Sequence, residues 1–242
     1  MRKGIETAVC SFQGGRDYNE DTVICKSEHG VCVAVVADGL GGHGGGQIAS
    51  ELTAGYLAGS FMQDPKPHPE HIKELFQQAN KEVLKAQSPF QKMRSTGVAL
   101  FINNEAVVWG HAGDSRLYRF KDNKIIFQTL DHSVSQMAVF TGEITKDQIR
   151  NHEDRNKVLR AFGEKGIFKA EISEANTLQA GADVFLLCTD GFWEFVFEEE
   201  MEETLETAET PGEWLELMLR KLEARAPADI DNYSAAAVFI NI

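Results

Sequence analysis

The segment STGVALFINNEAVVWGHAGDSRLYRFKDNKIIFQTLDHS, residues 95–133, carries the pattern that decides the fold. Its apolar runs have the length of strands and are rich in β-branched and aromatic residues. They cover residues 95–102, 105–112, 115–120 and 124–130. Asn103 and Asn104, and then Asp122 and Asn123, stand between runs, and these side chains tolerate the backbone of tight hairpin turns. We therefore predict that this segment folds as an antiparallel meander.

Further strand-like runs flank this segment on both sides. They cover residues 5–12, 22–27, 31–37, 169–176, 184–189 and 234–240, so that about ten strands are predicted in all. No internal repeat or low-complexity tract separates them. The chain is therefore expected to be rich in β-structure over most of its length.

Two pairs of helices interrupt the predicted strands. Residues 47–62 and 70–87 have helical periodicity, and the prolines of DPKPHPE, residues 64–70, prevent one continuous helix. Residues 198–208 and 211–225 form the second pair. Helices that come in pairs, and not after every strand, disfavour a doubly wound parallel sheet. We predict an α+β fold: a four-layer α-β-β-α sandwich, with two central antiparallel sheets and helical pairs outside.

Length and composition indicate a single domain, residues 1–242, with a substantial core. Hydrophobic residues make up 43% of the chain. The formal net charge of −13 argues against a nucleic-acid partner, because phosphate backbones are bound by clustered lysine and arginine. No apolar run reaches the roughly 20 residues of a transmembrane helix, and MRKGIETAV turns polar too soon for a signal peptide. We therefore expect a cytoplasmic protein with no membrane partner.

The cysteines and one acidic run are interpreted as structural features. Cys10, Cys25, Cys32 and Cys188 each lie in a strand-like run, and none forms a CxxC pair. We expect buried, reduced thiols, not zinc ligands or disulfides. The run EEEMEE, residues 198–203, stands at a predicted helix start, where carboxylates interact favourably with the helix dipole. We expect a solvated helix face there.

Short polar motifs stand where apolar runs stop. They are RDYNED (16–21), DGLGG (38–42), STG (95–97), GDSR (113–116), DHS (131–133), TDG (189–191) and DN (231–232). Aspartates at the solvent-facing ends of several strands can aim their carboxylates at one point. Convergent carboxylates repel each other strongly unless cations lie between them. The motifs therefore predict a multi-metal hydrolytic site.

In order and content, these motifs resemble those of the metal-dependent protein phosphatase family, the type 2C serine/threonine phosphatases, in its compact bacterial form. The resemblance runs from about Arg16 to Ala237. It implies a β-sandwich flanked by helices and an enzyme that hydrolyses phosphorylated proteins. It also implies a functional partner, an opposing serine/threonine kinase.

The resemblance implies a role for each carboxylate of the predicted metal site. Asp38 would bridge two ions, with the Gly39 carbonyl and Glu20 completing the first ion and Asp190 and Asp231 holding the second. Oxygen ligands suit Mn²⁺ or Mg²⁺ better than zinc or copper. In such a site a water between the two ions attacks phosphorus in line, and no phosphoenzyme forms.

Three further residues receive roles from the same resemblance. Arg16 would bind the substrate phosphate, since a guanidinium pairs with two phosphate oxygens. Asp21 would orient metal-bound water from outside the ligand set. Asp114 would hold a third, weaker ion together with Asp190. Arg16 and Asp38 are therefore the residues that we expect to carry catalysis.

The leaving-group acid is not assigned, because Leu40 stands where many eukaryotic members of the family have histidine. His43 lies three residues further on in a glycine-rich loop, and we do not transfer the acid role to it. Residues 134–166 resemble the variable flap of the family, and loops of this kind tend to set substrate choice. We expect residues 131–133 to shape the base of that flap.

Other classes of site are disfavoured by particular features of the chain. The glycine-rich run after Asp38 lacks the GK[ST] ending of a phosphate-binding loop. Successive residues of DHS point to opposite faces of an extended chain, so they cannot form a catalytic triad among themselves. A haloacid-type phosphatase is disfavoured because no complete DxDx[TV] motif occurs. A pseudophosphatase, which would bind without catalysis, is disfavoured because all four expected carboxylate ligands are present.

Overall fold

Two antiparallel sheets lie face to face at the centre of the structure, a computed structural model that describes residues 4–41, 44–88, 92–178 and 182–241. The strands, in chain order, are β1 Gly4–Phe12, β2 Thr22–Glu28, β3 Val31–Ala37, β4 Gly39–Leu40, β5 Arg94–Ser95, β6 Gly97–Ile102, β7 Ala106–Ala112, β8 Arg116–Lys121, β9 Lys124–Gln128, β10 Glu171–Ile172, β11 Asn176–Thr177, β12 Ala182–Cys188 and β13 Tyr233–Asn241.

Each sheet mixes strands from distant parts of the chain. The first sheet has the order β1-β13-β12-β8-β9, and the second has the order β10-β7-β6-β3-β2, with β11 also paired to β7. The short strands β4 and β5 form a separate pair beside the second sheet. All of these pairings are antiparallel.

Helices cover the outer face of each sheet. They are α1 Gly45–Gln63, α2 Pro69–Ala86, α3 Val134–Phe140, α4 Asp190–Trp193, α5 Glu198–Thr207 and α6 Pro211–Arg225, with a 3-10 helix at Lys146–Asn151. The pair α1 and α2 packs on the second sheet, and the pair α5 and α6 packs on the first. The predicted four-layer α-β-β-α sandwich is confirmed. Within the described ranges, no helix combines the length and the apolar character needed to cross a membrane.

Strand β3 shows how the layers are held together. Its run VCVAVVA is apolar throughout because both faces are buried. Val33 and Val35 point toward α1 and α2, whereas Ala34 and Val36 point into the space between the two sheets. A strand buried on both faces shows no polar alternation, which is why this run is continuous in the sequence.

The central meander predicted for residues 95–133 is wrong in one respect. Hairpins join β6 to β7 and β8 to β9, and Asp122 and Asn123 have the positive φ angles, 49° and 60°, of a tight hairpin turn. However, β7 lies in the second sheet and β8 in the first. Gly113, at φ 113°, makes the crossing, and a Cβ there would lie 2.5 Å from Thr96. The glycine between the two hairpins therefore allows the chain to pass from one sheet to the other.

The strand predicted over 169–176 is also wrong over part of its length. Only β10 and β11 pair with β7, and residues 173–175 lie between them without strand structure. Ser173 takes the place of a ladder residue: its N–H donates to Trp109 O (2.9 Å), and its hydroxyl accepts from Trp109 N (3.0 Å). A backbone N–H that donates to a side-chain hydroxyl cannot also donate to the carbonyl of the neighbouring strand, so the regular ladder is interrupted.

All four cysteines are free thiols. Cys32 and Cys188 are buried, and Cys10 and Cys25 are half-buried. Burial raises the pKa of the Cys10 thiol to about 12. This thiol is therefore protonated at neutral pH.

Candidate active site

A cleft of about 580 Å³ opens where the ends of β3, β12 and β13 meet. The structure brings the predicted site residues together at this cleft. Those that line it are Arg16, Glu20, Asp38, Gly39, Asp114, Asp190 and Asp231. Asp21 is buried behind them and hydrogen-bonds to Thr189, which precedes Asp190. Residues from both ends of the sequence, such as Arg16 and Asp231, thus lie at one cleft, as the motif pattern predicts.

Asp38 directly follows β3 and is fixed through its backbone. Its N–H donates to Thr96 Oγ1 (3.1 Å), and its carbonyl accepts from Thr96 N (2.9 Å) and Ser95 Oγ (2.9 Å). Thr96 Oγ1 also lies 2.7 Å from Ser115 Oγ. The STG and GDSR motifs therefore hold the backbone of the residue that is predicted to bridge two ions.

Gly39 and Gly46 pack backbone against backbone beside Asp38. A Cβ on Gly39 would lie 2.3 Å from the Gly46 carbonyl, and one on Gly46 would lie 2.8 Å from Glu20 Oε1. No side chain fits at either position, so the loop can bring its backbone close to Glu20. The glycine-rich run therefore forms a tight passage from Asp38 into α1. Gly42 and His43 lie outside the described residues.

The two remaining predicted ligands stand at neighbouring strand ends. Asp190 begins α4 after β12, and Asp231 precedes β13, the antiparallel partner of β12. The Gly191 N–H donates to Asp190 Oδ1 (2.7 Å) and the Asn232 N–H to Asp231 Oδ1 (2.8 Å). Each of these carboxylates is oriented through Oδ1 by the backbone of the next residue, and Oδ2 of Asp231 accepts from Arg16 Nη2 (2.7 Å).

Asn232 is a site residue to which the sequence analysis gave no role. Its side-chain oxygen accepts from Glu20 N (2.9 Å), and its amide donates to Gln13 O (2.7 Å) and Tyr18 O (2.9 Å). The side chain is buried, so these bonds are shielded from water. Asn232 therefore ties the RDYNED loop to the strand end that carries Asp231. The only signal in the sequence was its place in the DN motif.

Arg16 lies on the exposed rim of the cleft. Its Nη2 donates to Asp231 Oδ2 at 2.7 Å, and 55% of its side chain is exposed. An exposed ion pair of this kind contributes little to stability, so it can be exchanged for another anion. The guanidinium is thus placed to receive a phosphate that enters from solvent.

Mutual repulsion and burial dominate the electrostatics of the cleft. Burial, followed by repulsion from Asp190, Asp21 and Asp114, raises the pKa of Asp38 well above its ordinary value. Burial, followed by repulsion from Asp114, does the same to the pKa of Asp190. Burial raises the pKa of both Asp21 and Asp114 to about 7. These groups cannot all be ionised near neutral pH without a counterion.

The donor set fits divalent cations. Asp21 Oδ1 and Asp114 Oδ1 are buried and have no hydrogen-bond partner among the described residues. Buried polar atoms are nearly always paired, so such atoms indicate a missing partner. The atoms that converge in the cleft and could ligate a metal are all oxygens, which suits Mg²⁺ or Mn²⁺. Cations here would relieve both the repulsion and the missing contacts.

A second cluster of potential ligands is formed by His111, His132 and Glu171, whose ligand atoms lie within 4.8 Å of one another. The two imidazoles are stacked, with centroids 4.4 Å apart and planes 4° apart. A metal must lie close to the plane of each ligating imidazole, and parallel stacked rings cannot share such a point. Both ring nitrogens of His132 already have polar neighbours, since the Gly113 N–H donates to Nδ1 (3.2 Å) and Arg160 Nη1 lies 3.0 Å from Nε2. This cluster is therefore a polar packing contact.

The DHS motif directly precedes the segment predicted as a flap. Asp131 accepts two hydrogen bonds of 2.8 Å from the buried guanidinium of Arg116. The carbonyl of His132 accepts from Leu159 N (2.7 Å). Ser133 caps α3 by accepting from Gln136 N (3.2 Å). Of the three residues, His132 links the start of this segment to Leu159, Ser133 caps its first helix, and Asp131 binds Arg116 of β8.

Comparison with known proteins decides the family. The protein phosphatase 2C family model matches residues 15–228. The chain belongs to the protein phosphatase 2C family. It is a metal-dependent serine/threonine phosphatase.

Relatives and solved structures agree with this assignment. The serine/threonine phosphatase stp of Listeria monocytogenes is 30% identical over 223 residues, which are 88% of each chain. The catalytic domain of PstP, solved in complex with two manganese ions, has a TM-score of 0.82 at 25% identity and covers 99% of this chain and 100% of its own. A serine/threonine phosphatase of S. agalactiae shares the fold, with a TM-score of 0.84 at 23% identity, over 97% of this chain and 99% of its own.

Proposed function

We propose that this phosphatase hydrolyses phosphoserine and phosphothreonine in proteins with two Mn²⁺ or Mg²⁺ ions held in the carboxylate cleft. Asp38 would bridge the ions, Glu20 and the Gly39 carbonyl would complete one of them, and Asp190 and Asp231 would hold the other. The observation that carries this proposal is the convergence of these four carboxylates in one cleft, where burial and repulsion raise the pKa of Asp38 and of Asp190. When bound, two such ions would supply charge that polarises the phosphate and a water that is nucleophilic near neutral pH, so that hydrolysis would need no phosphoenzyme.

The surrounding residues would position the reactants. Thr96 fixes the backbone of Asp38, so that the bridging carboxylate enters the cleft in one orientation. Asp21, oriented by the Thr189 hydroxyl at 3.0 Å, would accept a hydrogen bond from the attacking water. Arg16 would release Asp231 and pair with two phosphate oxygens, an exchange that becomes easier when a cation neutralises Asp231.

Asp114 would hold a third, weaker ion together with Asp190. Its buried Oδ1 has no hydrogen-bond partner among the described residues, and repulsion from Asp114 contributes to the raised pKa of Asp190. In a calorimetric titration with manganese, Asp114→Ala should bind fewer ions than the unmodified protein. An equal number of bound ions would contradict the third site.

Phosphorylated proteins would be the substrates, and an opposing serine/threonine kinase would be the functional partner. The segment 134–166 would act as a flap of the same catalytic domain, because its residues Asn156 and Val158 line the cleft. We infer that this segment contributes to substrate choice.

Hydrolysis of phosphopeptides by the purified protein tests the proposal. Phosphoserine and phosphothreonine peptides should be hydrolysed with manganese or magnesium, not in excess chelator, and activity should return when metal is added. Phosphotyrosine peptides with the same flanking residues serve as the comparison for substrate class. Full activity in excess chelator would contradict the two-metal site.

A further inference from the structure

A second groove, of about 930 Å³, adjoins the catalytic cleft. Leu40 and Gly41 line both, so the two spaces are immediate neighbours. Strand β4 pairs with β5, and Leu40 stands directly opposite Arg94 in this pairing. Arg94 is therefore on the strand next to the one that leaves Asp38, close to the predicted metal ligands.

The groove has an excess of positive charge, in a chain whose formal net charge is −13. Lys92, Arg94 and Lys165 line it and are exposed, and the acidic lining residue is Glu164. Arg94 Nη1 lies 3.8 Å from Glu164 Oε1, at the long end of an ion pair. In the part of the chain that the structure describes, neither Lys92 nor Lys165 forms an ion pair with a carboxylate.

A cleft of comparable size differs from this groove because its arginines are already paired with carboxylates. It has a volume of about 920 Å³ and is also lined by arginines, but carboxylates already pair with them. Arg155 Nε lies 2.8 Å from Glu194, and Arg225 Nη2 lies 2.7 Å from Glu200. An incoming anion would have to displace an internal partner there, whereas the two lysines of the basic groove have none to lose.

The basic groove is built on a fixed frame. Gln87 Nε2 donates to both Met93 O (2.7 Å) and Gly163 O (2.8 Å), which joins the two segments that carry the cations. Asn80 of α2 accepts from Gly163 N (2.7 Å) and donates to Glu164 O (3.2 Å). Gly163 has φ 88°, and a Cβ there would lie 2.5 Å from Met93 O. The cations therefore project from a preorganised backbone, which reduces the entropy lost on binding.

We propose that this groove binds an anionic side chain in the substrate segment that flanks the phosphorylated residue. The anion is a carboxylate or a second phosphate, since lysine and arginine bind both. Because Leu40 and Gly41 line both spaces, the anion lies only a few residues, roughly two to four, along an extended peptide from the residue whose phosphate is in the cleft. This inference rests on the proposed phosphoprotein phosphatase function.

A peptide series tests the groove. Three phosphothreonine peptides carry, at two to four residues from the phosphorylated residue, neutral residues, glutamates or a second phosphoserine. The unmodified protein with saturating manganese should show kcat/KM about threefold to tenfold higher for at least one anionic peptide than for the neutral one, because exposed charge pairs contribute modestly. The preference should fall as salt rises, because the lysines are exposed.

Charge-matched variants assign the preference to the groove. In the double variant Lys92→Ala with Lys165→Ala, the ratio of kcat/KM between the preferred anionic and the neutral peptide should fall to about one. The control is Lys26→Ala with Lys221→Ala, which removes the same charge from exposed lysines that line neither space. It should keep the ratio of the unmodified protein.

The outcomes separate this inference from the function on which it rests. No manganese-dependent hydrolysis of any peptide would contradict the proposed function itself. Hydrolysis of all three peptides at the same rate would overturn only the groove. A preference that survives in the groove variant, or that falls equally in the control, would also overturn the groove.

Discussion

At the scale of single residues, Asp38 shows that the site is arranged for cations and not for stability. Its carboxylate is half-buried among other acids, and its pKa is raised well above the ordinary value. A charge in such surroundings opposes folding unless a counterion is present. The charge of Asp38 is therefore needed for metal binding, but it destabilises the metal-free protein.

Asp38→Asn separates these two demands. We expect kcat with manganese to fall by at least about a hundredfold, because the charge that would bridge both ions is lost. The same change should raise the melting temperature of the metal-free protein, since it removes mutual repulsion. Steady-state kinetics and thermal melts in chelator measure the two effects. Asp229→Asn, an exposed carboxylate that does not line the cleft, is the control and should change neither.

Arg16→Ala tests substrate binding on the rim of the cleft. Loss of charge-assisted hydrogen bonds to the phosphate should raise KM roughly tenfold to a hundredfold, with a smaller effect on kcat. The melting temperature should change little, because the ion pair with Asp231 is exposed. Arg16→Lys should recover part of the loss. A fall in kcat at unchanged KM would argue against a role in phosphate binding.

At the scale of elements, the site depends on how the loop before β2 is joined to the start of β13. Asn232 makes this connection through three hydrogen bonds to Gln13, Tyr18 and Glu20. These bonds set the position of Glu20 relative to Asp231. Neither strand could do so alone, because both residues lie outside the sheet ladder.

Asn232→Ala should therefore loosen metal binding more than it changes chemistry. We expect the apparent Kd for manganese to rise about tenfold to a hundredfold, and kcat to recover in part at saturating manganese. Titration calorimetry and the manganese dependence of kcat measure this. Asn103→Ala is a matched control, because Asn103 also accepts backbone hydrogen bonds, from Glu105 and Ala106, in a turn remote from the cleft. An equal change in manganese affinity in both variants would show that the effect is general destabilisation.

At the scale of the whole molecule, the buried carboxylates make stability depend on pH. The pKa of Asp21 and of Asp114 rises from 3.8 to about 7 on folding, so the folded protein binds protons that the unfolded chain releases. This contribution is complete below the unfolded pKa and is lost as pH rises through the folded pKa. We expect the metal-free protein to lose stability between about pH 4 and pH 7, as measured by urea denaturation in chelator. With saturating manganese this loss should disappear.

His111 acts in the opposite direction over part of the same range. Burial lowers its pKa from 6.5 to about 4, so it favours folding as pH rises. Because His111 is the same with and without metal, the difference between the two pH profiles isolates the carboxylates. Identical profiles in chelator and in manganese would contradict a metal site built from these groups.

Local sequence patterns correctly predicted those helices and turns whose tertiary environment favours the same structure. Helices α2 and α6 begin near proline, and the tight turn at Asp122 and Asn123 uses residues suited to positive φ. The prediction failed where a distant partner decided the outcome. Ser173 interrupts a strand by bonding Trp109, 64 residues away. No local pattern contains that contact.

The sequence by itself determined the four-layer architecture, because buried faces impose their own periodicity on strands and helices. It also determined which residue types could form the site, since convergent carboxylates repel one another unless cations lie between them. The tertiary structure alone decided how those residues are oriented and supported. Thr96 lies 58 residues from Asp38 and Asn232 lies 212 residues from Glu20, yet they hydrogen-bond. Hydrogen bonds form only between atoms that lie about 3 Å apart in space. The sequence does not show which distant residues come that close.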